Sequence, residues 1–290
     1  MNQNKLHQEA KSLLVGGYDL HTHTIPSHVS RSLDDFELIE QATRAGMKGV
    51  MIKCHYEPTG ARAALVNRRM PAGSAKAFGA IPLNHPVGGI NPYAVHSALK
   101  MGASMVFMPT RDAENCLLSG DMPGDFFRRP GISLLDEFGS LKPEVYDVMD
   151  VVKEYDAALA TGHISTEESV KLCVEGRRRG VRMVLTHPEW DRTTVSPEIQ
   201  KSLAQMGVWV EKCWYNVGEG NCSIEEMASH IRIVGAEHCF LSTDRGQAGR
   251  ETPVEGMSCF ISQLLRQGIT MDEIHTMLCV VPEYVLGIQK

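Results

Sequence analysis

The strongest constraint on this chain is a unit repeated along it. A short β-branched or apolar run ends in polar residues and is followed by an amphipathic stretch opened by a helix-capping signal. Parallel strands need long crossovers and helices supply them, so strand and helix in strict alternation predict a parallel sheet. Eight such runs occur: Tyr18–Thr24, Gly49–His55, Ala77–Asn84, Ser104–Thr110, Ala158–Ile164, Arg182–His187, Val208–Trp214 and Cys239–Asp244. Most are spaced by about 25 to 30 residues, one strand-helix unit, and eight units is the number that closes a parallel barrel. The expected fold is an α/β (β/α)8 TIM barrel, filling residues 1–290 as one domain.

Helix signals agree with that register. Ser or Thr followed three residues later by Asp or Glu satisfies the free backbone donors of a first turn, as at Ser32/Asp35, Ser165/Glu168, Ser223/Glu226 and Thr270/Glu273. Ser196-Pro197 is a further start, with proline at the first helical position. Helices are expected over 34–45, 60–69, 92–101, 143–155, 166–179, 197–206, 224–234, 255–267 and an extra one over 271–279. Between the fourth and fifth strands an insertion at about 112–142, rich in Gly, Pro, Phe and acidic residues, breaks the spacing. On a barrel it emerges at the C-terminal face, either as a lid over the mouth or as a packed surface excursion.

Composition limits the partners. A net charge of −6 with interleaved signs argues against nucleic acid, which calls for a basic stripe. The start Met1–Leu13 is polar, without a signal-peptide apolar core, and no apolar stretch is long enough to span a bilayer. The expected setting is cytoplasmic, with no membrane partner and a small molecule as substrate; assembly into a homo-oligomer is compatible with this composition. Eight cysteines, spread from Cys54 to Cys279 with no C-x-x-C pair, read as reduced residues, mostly of the core.

Residues of metal-binding type fall at the strand ends. His21 and His23, two apart in Tyr18-Asp-Leu-His-Thr-His-Thr, share a face of an extended strand. His163 closes the fifth run, His187 the sixth and Asp244 the eighth. Barrel active sites are built where the strands reach the C-terminal mouth, and imidazoles or carboxylates at that rim need partners that an aliphatic core does not supply. The donor set suits a divalent transition metal, zinc foremost, and also manganese, iron or nickel.

At these residues the sequence resembles the amidohydrolase superfamily, whose pattern is H-x-H on strand one, His on strands five and six, and Asp on strand eight. It also resembles an uncharacterised bacterial-type branch through Lys53-Cys-His-Tyr-Glu-Pro-Thr, Ala160-Thr-Gly-His, Thr186-His-Pro-Glu and Ser242-Thr-Asp-Arg-Gly-Gln. The resemblance implies a metal-dependent hydrolase with ligands His21, His23, His163, His187 and Asp244. Binuclear members carry a carboxylated Lys or a Glu on strand four, whereas Ser104–Thr110 has no ionisable side chain, so one ion is the simpler expectation.

Lys53 and His55 share a face at the end of strand two, and Glu211 lies near the end of strand seven. Lys53 reads as a substrate contact, as a ligand to a second ion if carboxylated, or as a lysine paired with a carboxylate. Arg31, Arg62, Arg111 and Arg245 stand just beyond strand ends, where arginine clamps a substrate carboxylate or pairs with Asp34, Glu57, Asp112 or Glu189. Gly88-Gly89 reads as a turn.

The expected reaction is hydrolysis of a small, carboxylate-bearing amide, lactone or ester by metal-activated water. Asp244 is the proton shuttle, His187 or His55 the oxyanion partner, and Lys53, Arg111, Glu211 and Arg245 the substrate contacts. A metal-dependent decarboxylase shares the ligands, and a non-catalytic metal-binding barrel is a reading from a different class. A rival resemblance, to the polymerase and histidinol phosphatase (PHP) phosphoesterases, rests on Asp19-Leu-His-Thr-His-Thr and Ala45-Gly-Met-Lys-Gly-Val-Met-Ile-Lys-Cys-His. It would need Asp at Lys53, a Glu within Ala77–Asn84 and a His at Gly246, and finds none of them.

Overall fold

The structure is a computed structural model that describes residues 3–125 and 128–289; Phe126 and Phe127 of the 112–142 insertion lie outside the described residues. The strands are β1 (Tyr18–Thr22), β2 (Gly49–Ile52), β3 (Lys76–Pro82), β4 (Ala103–Phe107), β5 (Ala158–Ala160), β6 (Arg182–Leu185), β7 (Trp209–Cys213) and β8 (Cys239–Ser242). They pair in sequence order, every neighbour parallel. Parallel bridging of Thr22 with Arg245 brings the last strand back to the first, so the sheet is a (β/α)8 TIM barrel.

The helices are α1 (Gln3–Leu13), α2 (Asp35–Arg44), α3 (Gly60–Arg69), α4 (Pro92–Lys100), α5 (Glu114–Leu118), α6 (Pro143–Glu154), α7 (Thr166–Arg179), α8 (Pro197–Gln205), α9 (Trp214–Gly218), α10 (Ile224–Val234), α11 (Pro253–Arg266), α12 (Met271–His275) and α13 (Val281–Val285). The capping boxes at Ser165, Ser223 and Thr270 form as the sequence indicates. The first does not: Asp34, rather than Ser32, caps α2, exchanging bonds with Glu37. Helices α1, α5 and α9 were not expected, because each is short or lacks a capping signal. The helix expected over 271–279 breaks after His275 into a π turn and resumes as α13.

Two cores result. Between helices and barrel lies a belt of aliphatic residues from both layers. Inside the barrel, Leu20, Met51, Phe78, Ala80, Met105, Phe107, Ala160, Val184 and Phe240 fill the lumen, and Val281 and Val285 of α13 plug its lower end. Tyr18 ties that plug to the strands through Glu283 at 3.0 Å, and Trp209 stacks on Tyr284. Above this layer the lumen turns polar, which is where the site begins.

One irregularity in β1 decides what faces the mouth. Asp19 pairs with Val50 and Thr22 with Ile52, so three steps on β1 match two on β2, a bulge. Tyr18 and Leu20 point into the lumen, and past the bulge His21 and His23 do. Asp19 therefore points outward, away from the imidazoles with which strict alternation would place it. Its carboxylate accepts the Thr243 hydroxyl at 2.5 Å and the amides of Thr243 and His21 at 3.1 and 3.2 Å. Burial pushes this carboxyl up to about 7 against those bonds.

Asp19 thus clasps the seam between β1 and β8 at the bulge. Asp19→Ala should lower the melting temperature by about 4–8 °C, the effect of about 2 kcal/mol lost when a buried acceptor disappears and its donors go unpaired. Thermal unfolding of the variant beside the parent protein checks this; an unchanged melting temperature would remove Asp19 from the seam's stability.

Candidate metal centre

The seam that closes the barrel also lines up the donors. The Asp244 amide donates to the His21 carbonyl at 2.8 Å, and the His23 amide donates to the Arg245 carbonyl at 2.8 Å. His21, His23 and Asp244 are consequently held in register by main chain. His23 Nε2 lies 2.8 Å and His21 Nε2 3.3 Å from Asp244 Oδ1. Donors about 2.1 Å from a tetrahedral ion sit about 3.4 Å apart, so this trio fits such an ion with little adjustment. Its donor atoms form one of two groups of metal-binding type among the described residues; the other is His21, His187 and Glu211.

Glu211 has a different part in the geometry. Its Oε1 accepts His21 Nδ1–H at 2.8 Å and the Ser242 hydroxyl at 2.7 Å, and its Oε2 accepts the His187 amide at 2.9 Å. A carboxylate only accepts, so His21 carries its proton on Nδ1 and offers the Nε2 lone pair upward, the usual setting of an oriented metal-binding histidine. Burial works to raise the Glu211 carboxyl, but the His21 ring outweighs it and the group lies at about 2. Glu211 was expected to contact substrate; it is buried under His21, does not line the cavity, and orients the His21 ring.

Backbone geometry brings in the other two imidazoles. Gly162 adopts φ +65°, and a Cβ there would stand 2.3 Å from the Met108 carbonyl; only glycine lets the chain turn and set His163 against β4. His187 and Asp244 have φ of 21° and 50°, the left-handed region that ordinary side chains avoid. Val184 faces the lumen and Leu185 the helices, so an unbroken strand would turn His187 outward; the left-handed step turns it in. Strain of this kind gathers at functional sites.

The imidazoles cluster, His163 and His187 edge to face with ring centroids 5.2 Å apart and His23 and His55 stacked at 4.9 Å. His163 Nε2, His23 Nδ1 and both nitrogens of His187 are buried without a hydrogen-bond partner among the described residues. Orphaned buried nitrogens are rare, and a coordinated ion or a bound ligand would satisfy them. The residues present therefore fit a divalent metal. Burial, with Lys53 and Arg31 adding repulsion, holds His163 and His23 well below the usual histidine range, and His187 lies at about 4 for the same first reason. Neutral imidazole is the form that ligates.

Lys53 is buried among these rings, its Nζ donating to His21 Nε2 at 2.8 Å and lying 4.6 Å from the Phe107 ring centroid. Burial pulls its ammonium down to about 8 despite Asp244 and Glu211. It sits beneath the cavity rather than in its wall. His55 does line the cavity, its Nδ1 fixed by Thr110 at 2.8 Å, which Asn84 in turn holds at 2.6 Å.

The cavity above the imidazoles measures about 300 Å³. His23, His55, His163, His187 and Asp244 line it together with Arg31, Arg111, Met122, Pro123, Trp190, Tyr215 and Gln247. Arg245 does not reach it: its side chain turns away from Asp244 and is buried between Glu251 at 2.9 Å and Glu219 at 3.0 Å. Arg62 pairs with Asp35 and Glu57 and is likewise structural. Gly88 and Gly89 form the expected left-handed turn.

The insertion has structural ties as well as a place over the mouth. Its Asn115 donates to the His163 carbonyl at 3.3 Å, Asp125 pairs with Arg111 at 3.2 Å, and Leu134 is fully buried. Sequence reasoning missed Asn84, Asn115, Trp190 and Tyr215. Trp190, three residues after His187, stacks on that ring at 5.2 Å and was the one with a readable signal.

Residues 16–211 match the sequence profile of a family described as "Family of unknown function (DUF6282)". The chain belongs to this family. No curated protein matches it in sequence. Among solved structures it is similar to an amidohydrolase from Pseudomonas aeruginosa, with TM-score 0.65, 13% identity and coverage of 99% of this chain and 98% of that one. It is similar also to the probable dipeptidase PvdM from the same organism, with TM-score 0.70, 12% identity and 98% of both chains covered. A 2,6-dihydroxybenzoate decarboxylase from Rhizobium matches with TM-score 0.57 and 12% identity, over 94% of this chain and 99% of that one. At such identities the likeness is one of fold, and it is the fold that the amidohydrolase resemblance implied. Among the described residues no helix is long and apolar enough to cross a membrane.

Replacing His21 and His23 together by Ala should abolish transition-metal content, measured by elemental analysis of purified protein; undiminished metal would move the site elsewhere. Acid should remove the ion late. Burial holds His23 and His163 well below the usual histidine range and His187 at about 4, so protons compete for these three late and content should hold within twofold from pH 7.5 to 5.5. A loss centred near about 6.5, the range of an exposed histidine, would contradict this.

Proposed function

We propose that this protein is a metal-dependent hydrolase of a small carboxylate-bearing amide, lactone or ester, with His21, His23, His163, His187 and Asp244 as the donors for a divalent ion, zinc foremost. The reading rests on one observation: buried imidazoles with unpaired ring nitrogens surround a carboxylate on the floor of a closed-bottomed cavity at the barrel's C-terminal mouth. When bound, a divalent ion supplies Lewis acidity and makes water nucleophilic at neutral pH.

The chain's own residues divide the remaining work. Burial opposes ionisation of Asp244, but His21 and His23 hold its carboxyl well below the usual range, so at neutral pH it is an ionised proton acceptor. As a water oxygen bonds to the substrate carbonyl carbon, Asp244 takes the water proton. When the C–N or C–O bond breaks, it returns that proton to the leaving nitrogen or oxygen. His187, braced flat against Trp190, and His55, fixed by Thr110, border the cavity where a carbonyl oxygen gains charge. The walls, with Trp190 and the 112–142 segment, exclude bulk water and hold a substrate small enough for about 300 Å³.

The phosphoesterase reading loses support at Gly246. A Cβ there would fall 1.8 Å from the His23 carbonyl oxygen, and φ is +135°, so no histidine can occupy the position.

Asp244→Asn should keep part of the metal while turnover of an amide, lactone and ester panel falls by about 100-fold or more, the size of a lost general acid–base contribution. Steady-state rates at matched metal content test this. Carbon dioxide release without water addition would replace hydrolase by decarboxylase, and a protein inert toward every substrate would support the non-catalytic barrel.

Lys53→Ala distinguishes one ion from two. If Lys53 is carboxylated and bridges, stoichiometry should drop from two ions per chain to one; a value of one in both proteins makes Lys53 a support for His21.

A further inference from the structure

The proposed function leaves open whether the scissile bond is an amide, a lactone or an ester, and the cavity rim contains polar atoms that the hydrolytic machinery does not use. Arg31, Arg111 and Gln247 all line the cavity. Arg111 is 8% exposed, and its Nε is buried without an acceptor, while its Nη1 is engaged by the Pro123 carbonyl at 2.8 Å and by Asp125. Arg31 Nε is buried without an acceptor too, and Arg31 forms no ion pair among the described residues. Desolvated guanidinium N–H groups facing a cavity are an anion site awaiting its anion.

Asp125 pairs with Arg111 and with Arg129, and Asp112 with Arg129. Arg31 has no ion pair among the described residues, and the carboxylate that acts on it is Asp244 across the cavity. A substrate carboxylate at the rim would give Arg31 a direct partner.

Gln247 contributes the second half of the argument. Its Nε2 donates to the Asp244 main-chain carbonyl at 2.8 Å. A carbonyl can only accept, so the amide orientation is fixed and Oε1 is the free end, buried with no donor. Backbone bridging between Arg31 and Gln247 sets the two residues side by side at the rim. A lone acceptor on a side chain that lines the same cavity as Asp244 calls for an N–H on the substrate, which secondary amides have and lactones and esters lack.

Resting on the hydrolase reading, we propose that the substrate is a small secondary amide with one free carboxylate, the carboxylate held by Arg31 and Arg111 and the amide N–H by Gln247. Arg31 and Gln247 are then specificity-determining residues; a substrate without the N–H leaves Oε1 buried and unpaired, and a neutral one leaves Arg31 without a direct partner.

The test is calorimetric or NMR titration of the metal-loaded protein with three matched probes. These are N-acetylglycine, its ester counterpart O-acetylglycolate, which lacks the N–H, and N-acetylglycinamide, which lacks the carboxylate. N-acetylglycine should bind at least tenfold more tightly than either. Arg31→Met should erase its advantage over N-acetylglycinamide, and Gln247→Leu its advantage over O-acetylglycolate while leaving O-acetylglycolate binding unchanged. Arg111→Met also removes the partner of Asp125, so melting temperature is read alongside, and Arg31→Met, which breaks no ion pair, carries the result if Arg111→Met unfolds. Equal affinity for the three probes, or no binding of N-acetylglycine, overturns the proposal. A protein that discards it in this way yet hydrolyses neutral esters keeps the hydrolase reading, whereas one that binds N-acetylglycine as described but hydrolyses nothing keeps the clamp and loses the hydrolase.

Discussion

The pairing of the last strand with the first is the interaction on which the mouth of this barrel depends. Hydrogen bonds from Asp244 to His21 and from His23 to Arg245 close the cylinder and also fix three donors in mutual register. Asp19 secures the same seam from outside, and Gly246 lets it pass with no side chain in the way. Closing the sheet and gathering these three side chains are therefore one event here. Elsewhere around the rim the donors are set more loosely, by left-handed turns at Gly162 and His187 after their strands have ended.

Electrostatics follow from the depth of that rim. Imidazoles this buried are neutral, which leaves lone pairs free but also leaves nitrogen atoms without partners. Lys53 partly relieves this by donating to His21, with its own ammonium lowered to about 8 by burial. Lys212, on the opposite face of β7 from Glu211, shows the alternative: buried beneath helices, it sits against Glu189 and Gln200, so a lysine can face outward here when a carboxylate comes with it. Lys53 has no such direct carboxylate contact among the described residues, and the His21 and Phe107 rings lie against it.

The barrel was legible in the sequence because period-two runs, capped helices and their spacing are local patterns, and Ser165, Ser223 and Thr270 act as caps as read. The convergence of His21, His23, His163, His187 and Asp244 was legible for the same reason, since strand ends can be counted. What could not be read was direction. The β1 bulge turns Asp19 away from His21, and Arg245 turns outward beside an inward Asp244; both depend on pairing across the seam between residues more than two hundred positions apart. The role of Glu211 was hidden likewise, for nothing near it in sequence reveals that His21 and Ser242 converge on its oxygen. The insertion was read as a lid or as a packed excursion, and its contacts show features of both: Pro123 borders the cavity while Leu134 is fully buried.

The plug formed by Val281 and Val285 has a consequence for traffic. With the lower end of the barrel filled, whatever enters from above must leave by the same doorway, past Arg31 and Arg111. Hydrolysis of a carboxylate-bearing amide there would make two fragments that both bear a carboxylate, the new acid and the amine that keeps the original one. Each would pass the same guanidinium groups on its way out, the first as a net anion and the second as a zwitterion. In such a dead-end chamber either product would compete with fresh substrate for a single place.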